Sequence, residues 1–203
     1  MALTNYTDLQ ASIANWLGGR SDLNGVIPDF VTLFEKAANR RLRVLGMLTS
    51  SDLTTVSGVA TLPSDFLVAR AVTWLGNPSR GLEYALPAWL TLNYISGQTG
   101  TPTYYSLTKA NTITVVPFDD TSQTRLIYYQ QIPPLGNVGT NWLMTAHPDA
   151  YLFGSLAESG GYVQDDNALQ KWIARRDALF EEIELLDKRS AGVGGMKVAG
   201  PTP

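Results

Sequence analysis

Few side chains in this sequence could carry acid–base or nucleophilic chemistry. His147 is the single histidine and precedes Pro148 and Asp149, where a helix is expected to begin. A Ser-His-Asp triad needs a carboxylate at one ring nitrogen and a hydroxyl at the other, and neighbours along the chain do not supply that geometry by themselves. We therefore interpret His147 as a helix-boundary residue and predict no catalytic role for it.

Two pairs of adjacent aspartates, Asp119-Asp120 and Asp165-Asp166, could in principle bind a cation. A divalent ion needs several oxygens that converge on it, and the spacing of a calcium-binding loop is absent. The pairs instead fit a turn and the N-cap of a helix. A further acidic group on the last predicted helix is interpreted as a solvated or partner-facing surface, and it comprises Asp177, Glu181, Glu182 and Glu184.

Sequence motifs that bind cofactors or phosphates are absent. There is no cysteine, which excludes disulfides, thiol nucleophiles and cysteine-ligated metal sites. Gly192, Gly194 and Gly195 follow a predicted helix and precede none, so they do not form a dinucleotide-binding loop. Neither a phosphate-binding loop nor a G-x-S-x-G turn occurs. We predict that the protein is not an enzyme and has no catalytic residue, cofactor or metal.

Length and composition bound the remaining possibilities. The chain has 203 residues, which suits one domain or two small ones. Only 16% of the residues are charged, and a low charge density is expected where other protein covers the surface. The net charge of -3 argues against a protein that wraps nucleic acid, because phosphate binding needs clustered Lys and Arg. No secretory signal opens the sequence and no apolar run of about 18 residues occurs, so we expect no membrane span.

Helical patterns occupy the two ends of the chain. Thr7 and Gln10 predict a capping box at the start of the first helix. Pro28 predicts the start of a second helix, while Pro148 and Asp165-Asp166 predict the starts of two more near the C-terminus. The predicted apolar face of the second helix consists of Phe30, Leu33, Phe34, Ala37, Ala38, Leu42 and Leu45.

Between these ends, Thr, Val, Tyr, Gly and Pro dominate, and their spacing favours strands. One short helix is predicted at Pro87–Tyr94, and a Pro/Gly-rich connection is predicted at Ile132–Thr140. The predicted strands are Leu53–Val56, Ala69–Leu75, Leu82–Ala85, Tyr104–Leu107, Ile113–Val116 and Thr124–Gln131.

Together these patterns predict an α+β fold. The N- and C-terminal helices are expected to form an antiparallel bundle, with a small antiparallel β module inserted between them. The tail is expected to be flexible because it holds too little apolar area to offset its ordering entropy. The predicted parts are N-terminal helices at 1–48, the β module at 49–140, C-terminal helices at 141–189 and a Gly/Pro-rich tail at 190–203.

Aromatic residues are spread through every block, and the adjacent tyrosines Tyr104-Tyr105 and Tyr128-Tyr129 each place one ring on either face of a strand. Tyrosine and tryptophan are enriched at protein interfaces. Stacking on single-stranded nucleic acid is the alternative, but it normally accompanies a basic groove, and Arg125 is the only positive charge near Tyr128-Tyr129. The candidate subunit-interface or core aromatics are Trp89, Tyr105, Tyr129 and Trp172.

Several short segments are informative through their order and spacing. They are Leu3-Thr4-Asn5-Tyr6-Thr7-Asp8-Leu9, Ile27-Pro28-Asp29-Phe30, Asn39-Arg40-Arg41-Leu42, Leu62-Pro63-Ser64-Asp65-Phe66, Tyr128-Tyr129 with Ile132-Pro133-Pro134-Leu135, and Thr140-Asn141-Trp142-Leu143 followed by Pro148-Asp149-Ala150-Tyr151-Leu152. Taken together, these segments resemble the head–tail connector (adaptor) proteins of tailed bacteriophages. The resemblance runs from about residue 3 to residue 188 and leaves out the Gly/Pro-rich tail.

The resemblance implies a structural virion protein without enzymatic activity. Such proteins form a ring, usually of twelve copies, that docks beneath the portal protein, extends the DNA channel and offers a platform to tail or nozzle proteins. DNA would pass through without sequence-specific binding, and no membrane would be involved. The protein would be assembled in the cytoplasm of the bacterial host and would reside at the head–tail interface of the virion. The candidate portal-interaction tail comprises Met196, Lys197, Val198 and Pro201.

Two other functions stay open from the sequence. One is another interaction module of a phage, such as a tail-completion or baseplate component, which differs in its partner rather than in its chemistry. The other is a hydrolase that acts through acidic residues, which would need a cleft with two suitably spaced carboxylates.

Overall fold

The structure is a computed structural model that describes residues 3–94, 97–108, 111–163 and 165–192. Over these ranges the fold is mixed α+β, with eight α-helices and two four-stranded sheets. The α+β class predicted from the sequence is therefore confirmed. The helices are α1 (Tyr6–Trp16), α2 (Ile27–Arg41), α3 (Pro87–Asn93), α4 (Leu135–Val138), α5 (Trp142–Ala146), α6 (Pro148–Glu158), α7 (Gly160–Val163) and α8 (Asp166–Gly192).

The chain divides into two compact units. The helical unit combines Met1–Gly46 with Ile132–Pro203, and the β unit is Met47–Gln131. The sequence prediction assigned 132–140 to the inserted module, whereas these residues group with the helices and include α4. Pro134 is the N-cap residue of α4 and has an extended backbone.

The first helix starts two residues earlier than predicted. Asn5 is its N-cap, and the Oδ1 atom of Asn5 accepts a hydrogen bond from the Asp8 N–H at 3.0 Å. The Asp8 carboxylate in turn accepts from the Thr4 hydroxyl at 2.6 Å. The predicted capping box of Thr7 and Gln10 is wrong because both residues lie within the helix.

The second helix begins at Ile27 with Pro28 in its first turn, as predicted. Phe34 on this helix lies in the core, with its ring 5.0 Å from that of Tyr151 on α6 and 5.9 Å from that of Phe180 on α8. The predicted apolar face is partly wrong, since Leu33 and Leu45 are 50% and 60% exposed.

Helix α2 and the residues that follow it contact α8. The ring of Phe34 stacks on that of Phe180, and Arg41 reaches Asp177 at 3.4 Å and Glu184 at 3.7 Å. Beyond the end of α2, the N–H of Leu45 donates to Asp187 at 2.7 Å. The antiparallel arrangement of the bundle stays a prediction.

The last helix starts as predicted, because Asp165 Oδ1 accepts from the N–H of Ala168 at 3.1 Å. It continues to Gly192, so the first three residues of the predicted tail are helical. The remainder of that tail, with Met196, Lys197, Val198 and Pro201, lies outside the described residues.

The β unit contains two sheets with the strand orders β1-β8-β3-β4 and β2-β7-β6-β5. Most strand pairs are antiparallel, but β5 pairs with β6 in parallel, which corrects the prediction of an antiparallel module. The strands are β1 (Leu48–Leu53), β2 (Val59–Thr61), β3 (Phe66–Trp74), β4 (Arg80–Gly81), β5 (Glu83–Tyr84), β6 (Tyr104–Thr108), β7 (Thr112–Val116) and β8 (Thr124–Gln130).

The strand predicted at Leu53–Val56 is wrong, because β1 ends at Leu53. The carboxylate of Asp120 accepts from the hydroxyl of Thr55 at 3.0 Å and from the N–H groups of Ser57 and Gly58 at 2.7 and 3.1 Å. These bonds hold the chain in a turn in which Ser57 and Gly58 both have positive φ. Asp120, which is distant in the sequence, therefore determines where β1 ends, although the local residue pattern favours a longer strand.

Candidate interaction surfaces

The residues that could have done chemistry have structural roles. His147 joins α5 to α6, as its position before Pro148 predicted. A cavity of about 600 Å³ in the β unit is lined by Trp74, Phe118 and Asp119, among others. Asp119 in this cavity accepts from the Trp74 indole N–H at 3.1 Å and from the N–H of Thr121 at 2.9 Å. Hydrogen bonds from Thr121 lower the pKa of Asp119, which keeps it an acceptor rather than a proton donor.

The described residues contain no group of three or more His, Asp and Glu side chains that could hold a metal ion. Within the same ranges, no helix is both long and apolar enough to cross a membrane.

One acidic side chain, Glu35 of α2, is buried in the helical unit. Its Oε1 atom accepts from the N–H of Leu135 at 2.8 Å and from the hydroxyl of Tyr151 at 3.2 Å. The Nδ2 group of Asn141 donates to the same Tyr151 oxygen at 2.7 Å. Burial raises the pKa of Glu35. These hydrogen bonds join α2 to Leu135 at the start of α4, to Tyr151 on α6 and, through Tyr151, to Asn141 before α5.

Several polar residues of the segments that carry the resemblance form hydrogen bonds within their own unit. Asn39 Oδ1 accepts from the N–H of Ile132 at 2.8 Å, where the chain re-enters the helical unit. Asn141 is the N-cap of α5, and its Nδ2 group donates to the carbonyl of Pro133 at 2.8 Å. In the β unit, the hydroxyl of Tyr128 donates to Asp65 at 3.0 Å. These polar residues are buried or half-buried, and their hydrogen bonds give the motifs a role in the folded structure.

An aromatic surface in the β unit is the clearest candidate for binding another protein. The ring of Trp89 lies 5.1 Å from that of Tyr104 and 6.1 Å from that of Tyr94. Trp89 is 41% exposed and Leu92, on the same short helix, is 86% exposed. We call this surface the aromatic face and define it by its exposed residues Leu86, Trp89 and Leu92 together with Tyr94 and Tyr104.

The four candidate aromatics do not converge. Trp89 lies on the aromatic face, while Tyr105 is buried and its ring lies 5.6 Å from that of Tyr84. Tyr129 on β8 and Trp172 on α8 are half-buried and belong to different units. Their assignment as interface residues stays a prediction.

Sequence reasoning missed Leu86 and Leu92, although a signal was present. Residues 84–94 contain no charged side chain at all. Other helices of this chain carry charged residues in their caps and ion pairs. An uncharged helix with an 86% exposed leucine is therefore a candidate for a surface that another protein covers.

The acidic group on α8 is only partly free for a partner. Arg41 lies 3.4 Å from Asp177, 3.7 Å from Glu184 and 3.9 Å from Glu181. Its guanidinium also lies over the ring of Phe180, 5.3 Å from the centroid. Glu182 is exposed and has no ion pair with any residue that the structure describes.

A mixed α+β chain whose buried polar residues hydrogen-bond distant parts of each unit, and which exposes aromatic and aliphatic side chains on one short helix, fits a structural protein that assembles with others. The family model described as SU10 adaptor protein matches residues 4–198. The chain therefore belongs to the SU10 adaptor protein family, a family of phage head–tail adaptors. This confirms the resemblance read from the sequence. No curated protein matches the chain.

Membership of this family defines the general role. The protein is a structural adaptor of a bacteriophage and a component of the virion. The family is a structural one and implies a protein that is not an enzyme.

Proposed function

We propose that the protein forms the head–tail connector ring of its phage, with twelve copies docked beneath the portal protein. The ring extends the DNA channel and gives tail or nozzle proteins a platform. The observation that carries this proposal is the family match over residues 4–198, which spans both units.

The aromatic face supports an assembly of this kind. A cyclic ring uses heterologous contacts, in which one surface of each copy meets a different surface of the next. Apolar and aromatic side chains without charge are suited to the centre of such a contact, and Leu92 and Trp89 have that character. The aromatic face is therefore assigned to contacts within the head–tail assembly.

The charge of the chain fits a conduit rather than a DNA-binding surface. A channel for DNA must not hold phosphate groups, and the net charge of -3 is consistent with weak, nonspecific contact. We infer that DNA passes through the ring without sequence-specific binding.

The C-terminal segment is proposed to contact the portal protein. It includes Met196, Lys197, Val198 and Pro201, and the family match extends to residue 198. The protein would be made in the host cytoplasm and join the particle there, and it would need neither cofactor nor metal.

Electron microscopy of the purified protein mixed with its portal protein tests the proposal. We expect a ring stacked on the portal, with twelve subunits after averaging. Absence of any ring on the portal would contradict the proposal. A tagged copy located at the distal end of the tail in intact virions would instead support the tail-completion or baseplate alternative.

A further inference from the structure

The turn that leads into α2 contains the single asparagine–glycine pair of the sequence, Asn24-Gly25. The N–H of Val26 donates to the carbonyl of Leu23 at 2.9 Å, so Asn24 and Gly25 are the two central residues of this turn. Both residue types suit a tight turn because they tolerate backbone conformations that bulkier residues avoid. Their order also places a side-chain amide next to a backbone nitrogen that no side chain shields.

An asparagine followed by glycine can react with its own backbone. The nitrogen of Gly25 gives up its proton and attacks Cγ of Asn24, and the new N–Cγ bond closes a five-membered succinimide ring. The Cγ–Nδ2 bond breaks, and the leaving nitrogen takes up a proton and departs as ammonia. Water then opens the ring at Cγ, which gives aspartate, or at the main-chain carbonyl, which gives isoaspartate. The net reaction consumes one water and releases one ammonia, without a redox step.

Both reacting groups are accessible in the helical unit. Asn24 and Gly25 are exposed to solvent. Among the residues that the structure describes, the Asn24 side chain has no hydrogen-bond partner, and the N–H of Gly25 donates to no acceptor. Neither the leaving amide nor the attacking nitrogen is therefore held away from the other by a hydrogen bond.

The turn itself offers little resistance to the attack. The nitrogen of Gly25 must rotate toward Cγ of Asn24, and the bond from Val26 to Leu23 closes the turn against this rotation. Local opening of a solvent-exposed turn of this kind costs far less free energy than global unfolding. Leu23 and Ile27, on either side, are buried, so the surrounding helices stay in place while the turn opens.

Other asparagines lack this combination of features. Asn39 and Asn141 are buried, and the side-chain oxygen of each accepts a backbone hydrogen bond. Asn77 precedes Pro78, which has no N–H to lose. Asn137 is exposed, but it precedes Val138, whose branched side chain hinders the approach of its nitrogen.

We propose that Asn24 is a site of spontaneous deamidation in the folded protein, with water as the co-reactant and aspartate or isoaspartate as the products. The site does not depend on the proposed ring. A virion is not resynthesised once it is assembled, so the modified fraction at position 24 grows with the age of the particle.

The two products differ in their effect on the start of α2. Aspartate adds a negative charge two residues before Val26, the N-cap, at the end of the helix where the dipole favours negative charge. Isoaspartate instead routes the main chain through Cβ and lengthens it by one carbon between the buried Leu23 and Ile27. The isoaspartate product is therefore expected to weaken the turn, whereas the aspartate product is not.

Peptide mapping by mass spectrometry of protein incubated at neutral pH tests the site. We expect the exchange of an amide for a carboxyl group at Asn24, with isoaspartate detected there by isoaspartyl methyltransferase labelling. The same incubation in urea gives the rate for the unfolded chain. The rate in the folded protein should lie within about tenfold of that rate, because exposed turns open at little cost. A folded-state rate below this limit would overturn the proposal.

Gly25→Ala is the matched variant. A Cβ atom at this position would meet no other atom within 4 Å, so the fold should be kept, as thermal unfolding checks. The added side chain should slow the reaction at Asn24 by about tenfold. Asn24→Ala should abolish the isoaspartate signal, and Asn137 in the same digest should stay unmodified. An unchanged rate in Gly25→Ala, or modification of Asn137 as fast as that of Asn24, would show that the glycine does not determine the site.

Discussion

The hydroxyl of Tyr151 donates to Oε1 of Glu35 at 3.2 Å inside the helical unit. The same carboxyl oxygen accepts from the N–H of Leu135, and burial raises the pKa of Glu35. An ionised carboxylate at this place is therefore held against a cost in solvation that the two donors only partly offset.

Replacing Glu35 by Gln should raise the free energy of unfolding at pH 7 by about 1 kcal/mol. Folding raises the pKa of Glu35, so the protonated side chain contributes to the stability of the natural protein. This contribution is complete below the unfolded pKa of about 4.3 and is lost as the pH rises through the folded pKa. Glutamine keeps an acceptor oxygen and does not ionise. The difference between variant and natural protein, measured by urea unfolding, should therefore grow from pH 4 to pH 7. A difference that is constant over this range would show that Glu35 does not titrate there.

Replacing Asn39 by Ala should lower the free energy of unfolding by about 1–3 kcal/mol. The Oδ1 atom of Asn39 accepts from the N–H of Ile132 in a buried place, so the substitution leaves that donor without a partner. The exposed Asn24 provides a control, and Asn24→Ala should change the stability by less than about 0.5 kcal/mol. Equal effects of the two substitutions in urea unfolding would contradict the structural role of Asn39.

Helix boundaries that depend on neighbouring residues could be predicted from the sequence. Pro28 and Asp165 act within one turn of the helices they start, and the short helix predicted at Pro87–Tyr94 is present as α3. The end of β1 could not be predicted, because it depends on Asp120, which is more than sixty residues away in the chain. The spacing of apolar residues along the chain does not reveal long-range hydrogen bonds of this kind.

Exposure was harder to predict than secondary structure. Leu33 has the spacing of a core residue on α2 yet is half exposed, and Trp89, in a stretch without charged side chains at residues 84–94, is 41% exposed. An apolar residue at helical spacing is normally assigned to the core of its own chain. The rule is wrong for Leu33, because helical spacing alone does not distinguish a side chain that its own chain covers from one that stays exposed.

Replacing Gly154 by Ala should lower the free energy of unfolding by about 1–3 kcal/mol. A Cβ atom at this position on α6 would overlap the ring of Phe34, which is fully buried between α6 and α8 and has little room to move. The matched control is Gly136→Ala in α4, where a Cβ atom would meet no other atom within 4 Å. Urea unfolding of both variants checks the prediction, and a Gly154→Ala protein as stable as the Gly136→Ala protein would refute it.

Replacing Leu92 by Glu should abolish assembly on the portal protein without unfolding the β unit. Leu92 is 86% exposed, so its substitution removes little buried area and should change the stability by less than about 0.5 kcal/mol. In an assembled particle the same position would bury a charge in an apolar contact, which is costly. The matched control is Val56→Glu, because Val56 is 74% exposed and lies outside the aromatic face. Ring occupancy counted by electron microscopy should fall for Leu92→Glu and stay unchanged for Val56→Glu. If both variants assembled normally, the aromatic face would have no part in the ring, and the apolar surface of α3 would need a partner outside the head–tail joint.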